Sequence, residues 1–159
     1  MNARHLLVQT HAHIPPANAV DGLPSADAER RIQGANHSIA EIVAHLLFWQ
    51  TWFTHRINGI HEPMIQSAAL GWPAVTPGSW PDLRAAYLAG LEELASIGDD
   101  ASRLDAPLTP PIEFPPLAHF TTRDALIHVA THNAHHLGQI IVLRQTMGQW
   151  PPPGGGWTW

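Results

Sequence analysis

At 159 residues, 45% of them hydrophobic, the chain has the size of one domain with one core. It has no cysteine, which excludes disulfides, thiolate metal sites and a cysteine nucleophile. Its formal charge is −5 with only 8 lysines and arginines, so the basic patch of a nucleic-acid binder is missing.

Residues 1–7 lack the apolar centre of a secretory signal, and no apolar run approaches the ~20 residues of a membrane span. These features predict a soluble, cytoplasmic protein with no nucleic-acid or membrane partner. The 12 histidines are dispersed along the chain and do not form a terminal tag.

Four helical segments are predicted in chain order. The first covers residues 2–17, with Leu6, Leu7, His13 and Ile14 as its periodic positions and Pro15-Pro16 near its end. The second begins after Asn36-His37-Ser38. Glu41 stands three residues beyond Ser38, the spacing of a capping box. Ile39, Ile42, Val43, Leu46, Leu47, Trp49, Phe53 and Ile57 follow, and Gly59 is its expected stop. The third starts at Trp80-Pro81-Asp82, with proline suited to a first turn. Leu83, Tyr87, Leu91 and Leu94 recur until Gly98. The fourth starts at Thr121 or Thr122 and runs to Met147-Gly148.

Proline-rich connections separate these segments, at residues 60–79 and 100–120. The pattern predicts an all-α fold, a four-helix bundle with long crossover connections, over residues 1–150. Residues 151–159 read Pro-Pro-Pro-Gly-Gly-Gly-Trp-Thr-Trp and form a non-helical tail. The tail is expected to fold back, with its prolines steering Trp157 against the bundle or a second subunit.

The fourth helix carries the chemistry. In projection from His128, His132 falls at roughly 40°, His135 at −20°, His136 at 80° and Gln139 at 20°. All five share one face of a largely apolar helix. A buried imidazole cluster is costly unless hydrogen-bonded or metal-bound. His132 and His136, spaced i and i+4, can grip one metal ion, and so can His128 and His132. His45 in the apolar second helix is a third donor. Three protein ligands with open positions is the pattern of a catalytic metal. Imidazole suits Zn, Ni, Fe or Cu. The competing reading is a set of satisfied core and surface histidines. There is no His-Glu-x-x-His motif and no Glu-x-x-His pair of the di-iron type.

Other residues hold weaker claims. Glu41, one turn from His45, reads as a capping glutamate or as a base or hydrogen-bond acceptor behind the metal. Gln139 can orient a ligand or a bound water through its amide. Trp49, Trp52 and Phe53 read as core or as pocket walls. Gly138 permits a close approach or is simply tolerated.

The second helix, with His45 followed by Leu46-Leu47-Phe48-Trp49, and the last helix, with His132-x-x-x-His136 followed by Leu137-Gly138-Gln139, together resemble the DinB/YfiT-like superfamily. The resemblance spans the whole bundle. It implies one divalent metal ion, Zn, Ni or Fe, held by His45, His132 and His136, with His128, Gln139 and Glu41 as supporting candidates. It implies a homodimer acting on a small-molecule substrate. The activities it implies are thiol-dependent transfer or isomerisation with a low-molecular-weight thiol as cofactor, and hydrolysis. A non-enzymatic metal-binding bundle is the other reading. One departure is Leu137, where family members often carry Arg, which puts a shared anionic substrate in doubt.

Overall fold

The computed structural model describes residues 2–9 and 12–157. Among them there is no strand, only an isolated bridge between Pro107 and Thr121. The helices are α1 (Ala3–Leu7), α2 (Pro16–Ala19), α3 (Ser25–Ala28), α4 (Ile39–Ile57), α5 (Trp80–Asp99) and α6 (Thr122–Thr146). Both α1 and α4 pack on α5 and α6, which makes a four-helix bundle with one short member.

Local sequence sets the long helices. Ser38 Oγ accepts from the Glu41 amide at 3.2 Å, and the Glu41 carboxylate accepts from the Ser38 amide at 2.7 Å. Asn58 ends α4, and Gly59 turns the chain away at φ +76°. Thr121 and Asp124 build the same reciprocal cap on α6. Each cap supplies about 1 kcal/mol.

The sequence expectation fails at the first helix, which stops at Leu7 instead of reaching residue 17. Only Ala3 and Leu7 of that helix are buried. Between Leu7 and Ile14 no further apolar stripe at helical spacing pulls the segment onto the core. Ile14 is fully buried, but it lies in irregular chain outside any helix, and a residue before proline disfavours the helical region. Two short helices, α2 and α3, take up the rest of this region.

The third predicted helix forms as expected, from Trp80 to Asp99. Gly98, near its end, is the point where α1 crosses, and a Cβ there would collide with Ala3.

Two buried arginines fasten loops to the bundle. Arg56 on α4 donates to the carbonyls of Glu62 and Pro110, at 3.1 and 2.8 Å. Arg144 on α6 donates to Ala19, Asp21 and Gln149 carbonyls at 2.8–3.0 Å. A guanidinium satisfies several carbonyls at once, which suits irregular segments without a ladder of their own.

The tail folds back in part. Pro152 is buried, and Asn18 Nδ2 donates to the Gly154 carbonyl at 2.6 Å. The expected packing of Trp157 on the bundle does not occur, since that side chain is 77% exposed. Trp159 lies outside the described residues.

Candidate metal centre

His45 from α4 meets His132 and His136 from α6. His132 and His136 lie one turn apart, as their spacing predicted, and α4 packs along α6 at this level. His132 Nε2 is 3.1 Å from His45 Nε2 and 3.1 Å from His136 Nε2. One nitrogen from each ring lies within 4.8 Å of the other two, and the group could hold a metal ion.

The outer nitrogens fix the tautomers. His45 Nδ1 is 2.6 Å from the Gly71 carbonyl, which can only accept, so Nδ1 carries the hydrogen. His136 Nδ1 donates to Gln139 Oε1 at 2.8 Å. Gln139 Nε2 in turn donates to His135 Nε2 at 3.2 Å. His45 and His136 therefore both aim Nε2 lone pairs at His132 Nε2. That nitrogen has at most one hydrogen to give, so one contact is lone pair against lone pair. A cation at their meeting point removes the conflict, and orientation of the rings by outer hydrogen bonds is the usual support for a bound metal.

Electrostatics point the same way. Burial pushes the His132 pKa down to about 3, helped by repulsion from His136 and His45. Burial also lowers His45, against the Gly71 hydrogen bond, and lowers His136, against the Gln139 bond. All three imidazoles are neutral at pH 7, the state that binds metals. The donor set is nitrogen only, which fits a borderline divalent ion such as Zn, Ni or Fe.

A cavity of about 690 Å³ reaches the cluster at His136. His136, Trp72, His37 and Gln139 are in its wall, and no Asp, Glu, Lys or Arg is. A Cβ on Gly138, also in the wall, would meet nothing within 4 Å. A second cavity of about 580 Å³, between Leu47, Trp52, Val75 and Leu83, touches none of the three histidines.

The remaining candidates divide. Gln139 is in place, bonded to His136. His128 packs against Phe53 and Phe120, at ring-centroid distances of 5.1 and 5.8 Å, and lies 6.5 Å from His132. It makes no hydrogen bond with the three rings. Glu41 is drawn the other way. Its carboxylate is occupied by the Ser38 amide and by Arg31, and this holds its pKa down at about 2. Glu41 is thus a cap and makes no bond to His45. Trp52 and Phe53 are buried in the core, and neither they nor Trp49 line the cavity at the cluster. Leu137 is fully buried in the core and absent from the cavity wall, so this position does not set the cavity's charge.

Sequence reasoning missed three residues. Gly71 supplies the carbonyl for His45. Trp72 lies between two histidine rings, stacked on His45 at 3.9 Å and on His37 at 3.7 Å, within 9° of parallel to each. His37 looked like part of a capping group, but Ser38 alone makes that cap. The one available signal was a tryptophan beside a glycine in a proline-rich connection without helical periodicity. Behind the cluster, Asn133 Oδ1 accepts from Tyr87 at 2.8 Å and from Gln50 at 3.4 Å, tying α4, α5 and α6 together.

Fold and cluster together define a helical bundle with a three-histidine group suited to a metal ion. Residues 17–140 match the family model of the DinB superfamily, and the chain belongs to that superfamily. No curated protein and no solved structure gives a significant match. No helix among the described residues is long and apolar enough to cross a membrane.

Proposed function

We propose that this protein is a metal-dependent enzyme that transfers or isomerises small molecules with a low-molecular-weight thiol. His45, His132 and His136 hold one divalent ion. The observation that carries the reading is the convergence of three neutral Nε2 atoms beside an open cavity. A purely sequestering site would be closed by a further protein ligand, and here the described residues supply three.

A divalent ion bound there supplies Lewis acidity that keeps a thiol as thiolate, or a water as hydroxide, near neutral pH. The chain's residues do the positioning. Gly71 fixes the ring of His45, and Gln139 fixes the ring of His136. Trp72 covers one face of His45 and keeps solvent off it. The uncharged cavity wall favours a thiol and an electrophile without fixed charges. In this reading the protein works in the cytoplasm as a homodimer, the dimer being what the family resemblance implies.

The test has two parts. Protein purified without a tag or added metal is analysed for elements, with about one divalent ion per chain expected. The loaded protein is then mixed with small thiols and a small electrophile, and loss of free thiol is followed. Metal-dependent acceleration, lost in His45→Ala, is the expected result. Acceleration of ester hydrolysis without thiol consumption would move the assignment to a hydrolase.

A further inference from the structure

The cavity holds a polar group that the proposed metal site leaves unused. His37 lines the wall, half-buried, and its ring rests on Trp72. Among the described residues neither of its ring nitrogens has a hydrogen-bond partner. Trp72 is covered on both faces, by His37 and by His45, so it offers the cavity only its edge. His37 therefore stands two ring-stacking distances, 3.7 and 3.9 Å, from His45. That separation is too long for a hydrogen bond to an atom on the metal. It suits the far end of a ligand lying along the indole edge. The wall carries no Asp, Glu, Lys or Arg, so a fixed charge on that ligand would find no permanent partner.

We propose that His37 is a specificity-determining residue, which donates a hydrogen bond to an uncharged acceptor at the distal end of an elongated ligand anchored on the three-histidine centre. The proposal rests on the metal-and-thiol reading above and adds the shape and polarity of what is bound. The chemistry is a thiol head, a spacer of a few atoms and a carbonyl-type acceptor. Imidazole is a donor from either ring nitrogen in one tautomer or the other, so a neutral His37 can serve it. Stacking on Trp72 fixes the ring without consuming either nitrogen.

The probes are ethanethiol, butanethiol and N-acetylcysteamine, added to cobalt-loaded protein. Binding is read from the sulfur-to-cobalt charge-transfer band. In the wild type, N-acetylcysteamine should bind about tenfold more tightly than butanethiol, which has similar reach but no acceptor. This comparison needs no variant. His37→Phe keeps an aromatic ring on Trp72 and removes both nitrogens. It should retain its cobalt and its affinity for ethanethiol, and lose about tenfold in affinity for N-acetylcysteamine. Equal N-acetylcysteamine affinity in wild type and variant would overturn the proposal, and so would equal weakening of all three thiols. A band that forms but ignores His37 defeats this proposal alone. Failure of every thiol to give a band in cobalt-loaded wild type defeats the thiol reading as well.

Discussion

The Gly71 carbonyl accepts a hydrogen bond from His45 Nδ1 at 2.6 Å. Gly71 is the only buried residue between positions 58 and 79, so the long crossover touches down on the bundle at this bond. A Cβ at Gly71 would lie 3.2 Å from Trp49 Nε1 and 3.3 Å from Ile65 Cδ1, so a larger residue would need both side chains to shift by a few tenths of an ångström. The bond holds the His45 ring with its other nitrogen toward His132 and His136. An ion that fixes the ring also fixes the loop. Zinc should therefore slow amide hydrogen exchange in residues 68–72 by about tenfold, and far less in the middle of α5. Mass spectrometry of exchange with and without zinc measures this. Equal protection in the two states would show that loop and ion are independent.

His132 and His135 should behave oppositely. His132 Nε2 sits between the other two Nε2 atoms, whereas His135 is exposed and meets only the Gln139 amide and the edge of His136. His132→Ala leaves two imidazoles, and zinc affinity should fall by more than the 10–100-fold typical of losing an outer hydrogen bond. His135→Ala should keep about one ion per chain. Elemental analysis after dialysis against a weak chelator distinguishes them. Stoichiometric zinc in the His132 variant would remove it from the ligand set.

What was legible in the sequence was local. The caps at Ser38 and Thr121 and the i, i+4 pair on α6 depend on neighbours within one turn, and all were readable. His45 was readable as a lone histidine in an apolar helix. The first helix was misjudged because Ile14 is buried like a helical residue but reaches the core from irregular chain before Pro15. Glu41 offered two roles from sequence, and Arg31, in the loop before the helix, decides between them through a bond that no spacing rule anticipates. Gly71, Trp72 and His37 were missed for a related reason. Their roles come from where a crossover loop lands, and a loop without periodicity gives no register to predict that.

The depressed histidine pKa values fix a pH window. His132 titrates at about 3 in the folded metal-free chain and at about 6.5 in the unfolded one. Above ~6.5 it is neutral in both states and contributes nothing. Between ~6.5 and ~3 the unfolded chain takes up a proton that the folded chain refuses, so stability falls as pH drops. His45 and His136 are shifted in the same direction and add to the slope. The metal-free protein should melt at progressively lower temperature below pH 6.5. Zinc affinity, meanwhile, should change little from pH 8 to 6.5, because the folded site is already deprotonated, and should fall only in more acid solution. Chelator competition across pH measures the second point. A tenfold loss of affinity by pH 6.5 would mean that the imidazoles are not held neutral as described.

The tail is anchored by its middle and not by its tryptophans. Pro152 is buried, Asn18 Nδ2 bonds the Gly154 and Gly155 carbonyls at 2.6 and 3.3 Å, and Pro153 lies where a Cβ on Gly22 would be. Gly22 also has φ +63°, so this seat depends on glycine twice over. Trp157 lies beyond the anchor with 77% of its surface exposed. Deleting residues 151–159 should cost about 1–3 kcal/mol, a few degrees in melting temperature for a chain of this size. Trp157→Ser should cost under ~0.5 kcal/mol, the range of an ordinary surface change. Gly22→Ala should approach the effect of the deletion, since it meets both the positive φ and the Pro153 ring. Thermal melts of the three variants separate the contributions. If Trp157→Ser matched the deletion and also shifted the size-exclusion volume, the indole would be buried against a second subunit, and the anchor would lie between chains.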